Sequence, residues 1–102
     1  MKEYDLYVPL TYNDGRPVGA RTIERLGERL LLQFGGVTFF PQPNEGLWRM
    51  GEVTFRDQIV IFRVLSANVR DARRFFRSLK RELKTELEQE EILVVERDVE
   101  TL

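Results

Sequence analysis

The sequence predicts an α+β sandwich of the ferredoxin-like βαββαβ type: a four-stranded antiparallel sheet with two helices on one face. Three observations predict it. Apolar segments follow one another in the order β-α-β-β-α-β, the signature of a split βαβ unit. The hydrophobic period switches between 2 and 3.6 from segment to segment. Glycine, proline and asparagine clusters punctuate the boundaries. In this topology the sheet order is 4-1-3-2, so the first strand lies at the centre and the first loop shares an edge with the hairpin between strands two and three.

The first strand is Leu6-Tyr7-Val8-Pro9-Leu10 and ends at Thr11. Tyr12-Asn13-Asp14-Gly15-Arg16-Pro17 is dense in turn formers, and Pro17 marks the approach to a helix. From Ala20 to Phe34 the residues Ile23, Leu26, Leu30, Leu31 and Phe34 recur at helical spacing, with Glu24, Arg25, Glu28 and Arg29 on the wet face. Gly35-Gly36 ends that helix as a left-handed cap would. The second strand begins at Val37, and Pro41 and Pro43 mark it as an edge strand. Gln42 to Asp57 is the least regular stretch, holding Asn44-Glu45-Gly46, the only tryptophan, Trp48, and Gly51. It reads as an extended, bulged hairpin leading to a third strand from Ile59 to Leu65. Asn68 is a good N-cap for the second helix, with Asp71 placed to suit the helix dipole. Val69, Ala72, Phe76, Leu79, Leu83 and Leu87 form its apolar stripe. The last strand is Ile92-Leu93-Val94-Val95, and the tail from Arg97 to Leu102 is expected to be exposed.

A chain of 102 residues is expected to form one domain, spanning 1–102. With 42% hydrophobic and 32% charged residues its composition is that of a soluble globular protein. No apolar run is long enough to cross a bilayer, so no membrane partner is expected. Met1-Lys2-Glu3-Tyr4-Asp5 has no signal-peptide core, which points to a cytoplasmic location. The net charge of −1 does not by itself suggest nucleic-acid binding. The chain has no cysteine and no histidine, which excludes thiol nucleophiles, thiolate zinc sites and a Ser-His-Asp triad. Chemistry is left to carboxylates, Tyr, Lys, Arg, Thr, backbone amides or a hard metal held by oxygens. No cofactor or metal is indicated, and no Walker loop or G-x-G-x-x-G fingerprint occurs.

Gly46-Leu47-Trp48-Arg49, the strand Ile59 to Leu65, and Gln89-Glu90-Glu91-Ile92-Leu93-Val94-Val95 carry a resemblance. These segments, with the opening Leu6-Tyr7-Val8, resemble an uncharacterised family of small bacterial proteins, a domain of unknown function. That family has a Gln-Gly-x-Trp segment and a closing Gln-Glu-Ser-hydrophobic strand. Glu91 here stands where the family often has Ser. The resemblance implies the ferredoxin-like fold and no activity.

The third strand is apolar on both faces, with Val60, Phe62 and Val64 on one and Ile59, Ile61 and Leu65 on the other. Helices cover only one face, so the other needs a cover of its own. A second copy would make a homodimer. The alternative is the long hairpin folding back. Arg63 interrupts the strand and needs a partner or a ligand. Tyr7 on the adjacent strand is placed to lie on its face, and the alternative to a ligand is a pair with Asp5 or Glu96 across the sheet or the dimer interface.

The expected ligand site is the shared loop edge, with Tyr12, Asn13, Arg16, Asn44, Trp48 and Arg49, and Arg63 as a further candidate. Arginine grips phosphate through two bonds, an aromatic ring stacks a base, and the first helix start favours anions. The competing reading is that Asn13-Asp14-Gly15 is turn chemistry and Trp48 a core or interface anchor. Arg70, Arg73, Arg74, Arg77, Lys80, Arg81 and Lys84 on the second helix read as a solvated face ahead of a stripe that touches phosphates. Three functions follow. One is a homodimeric module that binds a nucleotide, RNA or another phosphate-bearing ligand. Another is a metal-independent phosphodiesterase or ribonuclease acting on RNA or a cyclic oligonucleotide. The third is a purely structural or protein-interaction dimer.

Overall fold

The computed structural model describes residues 1–102. The chain runs β1 (Lys2–Pro9), α1 (Ala20–Phe34), β2 (Thr38–Met50), β3 (Val53–Ser66), α2 (Val69–Glu86) and β4 (Val94–Asp98). The strands form one sheet in the order β2-β3-β1-β4, every neighbour antiparallel. This is the ferredoxin-like sandwich that the segment order predicts.

Alternation along the two central strands creates the core. Tyr4, Leu6 and Val8 of β1 and Val60, Phe62 and Val64 of β3 are buried on one side of the sheet. Leu26 and Leu30 of α1 and Ala72, Phe76, Leu79 and Leu83 of α2 join them in one cluster, so both helices lie on that side. Burying each large side chain contributes about 1.5–3 kcal/mol. Gly27 seats α1 on the sheet: a Cβ there would stand only 3.3 Å from the Phe62 ring. Gly35 ends α1 at φ 78°, the left-handed region, and its N–H donates to the Leu31 carbonyl. The Asn68 side chain caps α2 by accepting from the Asp71 N–H at 3.1 Å.

The sequence-based boundaries differ from the structure at three strands, of which β1 already starts at Lys2 rather than Leu6 because Lys2 to Asp5 pair with both β3 and β4. β2 and β3 form the extended hairpin expected from Gln42 to Asp57, turning at Gly51 and Glu52. The ladder breaks only at a bulge between Phe40 and Asn44, where Pro41 and Pro43 lie. β3 thus starts at Val53 rather than Ile59. β4 is displaced toward the C-terminus, to Val94–Asp98, because pairing with β1 holds Glu96, Arg97 and Asp98 in the ladder. Arg97 is consequently part of the sheet, not of the tail. No helix is long and apolar enough to cross a membrane.

Candidate functional site

Register with β1 ends at Pro9, which pairs with Ile59. Beyond that point β2 and β3 continue together as a two-stranded arm to the turn at Gly51, whose φ of 62° suits glycine. Alternation puts Trp48, Phe55 and Asp57 on the side of the arm continuous with the sheet face that lacks helices. Trp48 and Phe55 are directly paired across the strands, and their rings stack with centroids 4.4 Å apart. The Trp48 indole N–H donates to the Asp57 carboxylate at 2.7 Å. Between arm and sheet lies an open cleft of about 370 Å³, lined by Tyr7, Trp48, Asp57, Ile59, Glu91 and Leu93 among others. The prolyl ring of Pro9 and the amide of Gln89 complete its wall.

The two carboxylates of the cleft differ in surroundings. Glu91 accepts from the Ile92 backbone N–H at 2.9 Å and pairs with Lys80 at 3.2 Å. Those contacts, the backbone bond first, hold its carboxyl below the ordinary range. Asp57 has no cation within ion-pair distance, and its bond to Trp48 is its one side-chain contact of that kind. No group of three or more acidic residues is placed to hold a metal ion.

The residues expected at the loop edge fall into separate clusters. Arg16 donates to Asp14 at 2.6 Å and to Glu88 at 2.9 Å, and its guanidinium lies over the Tyr12 ring, 4.5 Å from the centroid. Asn13 donates its side-chain amide to the Glu88 carbonyl at 2.9 Å. The loop is therefore tied to the chain just past α2, where Glu88 adopts φ 54°. Backbone and side-chain bonds from Arg16 hold the Asp14 carboxyl below the usual range, and Asp14 in turn raises Arg16. Asn44 sits at the bulge and donates to the Gln42 carbonyl. Trp48 belongs to the cleft. Arg49, its neighbour in the strand, points from the opposite side of the arm and has no ion-pair partner, whereas Arg56 on that side pairs with Glu45 at 2.8 Å.

Arg63 lies on the open face and is engaged by carboxylates. It donates to both Asp5 oxygens, at 2.8 and 3.0 Å, and stands 3.2 Å from Glu3. Arg97 from β4 reaches the same two acids at 2.7 and 2.9 Å. Asp5 is only 2% exposed, and its bonds from Arg63, ahead of those from Arg97, keep its carboxyl below the ordinary range. The ring under the guanidinium is Phe40, 5.0 Å away, rather than Tyr7. The bulged edge strand brings Phe40 over Arg63, while Tyr7 pairs with Ile61 two positions along. Glu96 does not join this group. It accepts from Arg73 and from the buried Tyr4 hydroxyl, which draw it down to about 2 while Tyr4 is pushed up to about 12 by burial and by Glu96.

Sequence reasoning missed Asp57, Tyr7 and Gln89 as cleft residues. A signal was present for Asp57. Two aromatics flanking a glycine-bearing turn, Trp48 and Phe55, suggest a cross-strand pair, and that register puts Asp57 two positions along on the same face.

No family model and no curated protein matches the chain, which is consistent with a resemblance that carries no assigned activity. Two solved structures are similar to it. A phage SAM lyase in complex with S-methyl-5'-thioadenosine superposes with a TM-score of 0.68 at 14% identity, over 95% of this chain and 80% of that one. CutA1 from Pyrococcus horikoshii, in a point-mutant form, gives 0.61 at 12% identity, over 100% of this chain and 86% of that one. At such identities the likeness establishes the shared α+β fold.

Proposed function

We propose that this chain is a small ligand-binding domain that takes a nucleoside or nucleotide in the cleft beside Trp48 and forms a homodimer through the rest of its open sheet face. The observation that carries the reading is the cleft itself: an indole fixed by Phe55 and Asp57, set beside Tyr7 on an apolar floor. A planar base stacks on such a platform for about 1–3 kcal/mol. The phage structure of similar fold holds a thionucleoside, which supports the ligand class. Arg16 is already neutralised by Asp14 and Glu88. This favours the cleft over the first loop as the place where the base enters.

Self-association is supported by what the open face exposes. Away from the cleft, Phe40, Phe55 and Leu65 are each more than a third exposed, and Ile61 is half-buried among them. The Glu3, Asp5, Arg63 and Arg97 quartet in their midst is internally paired, so the face can be covered without stranding a charge.

Two measurements test the two halves. Isothermal titration with adenosine, AMP and S-methyl-5'-thioadenosine is expected to show binding that Trp48→Leu weakens about tenfold, in line with the loss of one stacked base. Absence of binding by all three refutes the ligand reading. Light scattering over a dilution series is expected to show a dimer that Ile61→Glu converts to monomer. A wild-type chain that stays monomeric at high micromolar concentration refutes the association.

A further inference from the structure

We infer that the cleft prefers a nucleoside carrying a positive charge, such as a sulfonium or an ammonium, and that Asp57 is the residue that reads that charge. This deepens the function proposed above and rests on it. Asp57 stands out among the carboxylates of the sheet. Glu3, Asp5, Glu96 and Asp98 each have an arginine or lysine partner, and in the cleft Glu91 has Lys80. Asp57 has none, although it is half-buried in a mainly apolar cleft. Its Oδ2 accepts from the Trp48 indole at 2.7 Å, which fixes the carboxylate and leaves Oδ1 without a donor. An oriented, uncompensated carboxylate beside aromatic rings suits a cation in two ways. The carboxylate supplies the counter-charge, and the faces of Trp48 and Tyr7 attract positive charge through their quadrupoles. No lysine or arginine lines the cleft, so nothing there compensates a phosphate. A phosphate would have to lie outside it.

The test uses two ligands that differ by one methyl group and one charge. S-Adenosylmethionine carries a sulfonium, and S-adenosylhomocysteine carries the neutral thioether. Titration of the full chain is expected to show the sulfonium bound about tenfold more tightly, the effect of one charge-assisted contact. In Asp57→Asn the side-chain oxygen can still accept from the indole, so the cleft keeps its shape. The preference should vanish there while thioether affinity stays within about twofold. Trp48 is the only tryptophan, so quenching of its emission locates the bound ligand independently of heat. Equal affinities in the wild type, or a preference that survives Asp57→Asn, overturn the assignment of charge reading to Asp57 and leave nucleoside binding standing. Binding of neither ligand, nor of adenosine, removes both readings.

Discussion

Replacing Arg63 with leucine isolates the charge pair at the centre of the open face. The guanidinium gives Asp5 two bonds, at 2.8 and 3.0 Å, and Asp5 is 2% exposed. Stripping one partner from a buried pair costs about 3–5 kcal/mol when the remaining charge is left alone. Asp5 is not left alone, since Arg97 still donates to it at 2.9 Å, and the Arg63 head is itself partly in water. The expected loss at pH 7 is therefore about 2 kcal/mol, or a fall in melting temperature on the order of 10 °C. The pH dependence carries the argument. In the wild type the folded Asp5 carboxyl lies below its unfolded value, so its stabilisation is full above the ordinary carboxylate range and declines as pH falls through that range. In the variant the carboxylate is poorly compensated and regains a proton more readily on acidification, which relieves the penalty. Urea unfolding of both proteins at pH 7 and pH 3 should thus show a gap that narrows at the lower pH. A gap of equal size at both values would mean that Arg63 acts through packing on Phe40 rather than through its charge, and the reasoning would fail.

Two further outcomes follow from the helix side of the sheet. The Tyr4 hydroxyl is held protonated up to about 12 in the fold, above its ordinary 10, so its stabilising share is complete below pH 10 and disappears as pH rises toward 12. Tyr4→Phe should flatten the alkaline limb of a stability-against-pH curve, and an unchanged limb would refute the role. Asn68→Ala removes the cap bond to the Asp71 N–H and should cost about 1 kcal/mol in urea unfolding with an unchanged slope; a loss below a few tenths would show the cap to be idle.

Local signals and long-range pairing divide what was legible in the sequence from what was not. α1 could be read to the residue because its stripe and its stop signal are both local: Leu26 and Leu30 face the core and Gly35 turns left-handed. Asn68 is legible for the same reason. The arm was legible as an extended hairpin but the start of β3 within it was not, because Thr54, Arg56 and Gln58 alternate with Phe55 and Asp57 and owe their extension to pairing with Glu45 to Arg49. β4 moved because Glu96, Arg97 and Asp98 are strand residues only by virtue of β1 beside them. For the site, the chemistry of the first loop was visible, whereas its engagement by Glu88 depends on a residue 72 positions away from Arg16 in the chain. Arg63 announced its need for a partner, and Asp5 was one of two acids legible for it; the β1–β3 register decides for Asp5 over Glu96.

The bulge at Pro41 and Pro43 bears on how copies of this chain meet. A sheet with open edges invites strands from other molecules and grows without limit, as in fibrils. Here the edge strand β2 carries two prolines, which have no N–H to donate, where its register shifts. The opposite edge, β4, is five residues long and carries Glu96, Arg97 and Asp98. The one open stretch left, the inner edge of the arm, is short and bears Arg56 and Asp57. Edge-to-edge growth is therefore disfavoured on both outer sides, which suits the face-to-face dimer proposed above. Face-to-face pairing about a two-fold axis uses up the surface that forms it, so it stops at a finite size.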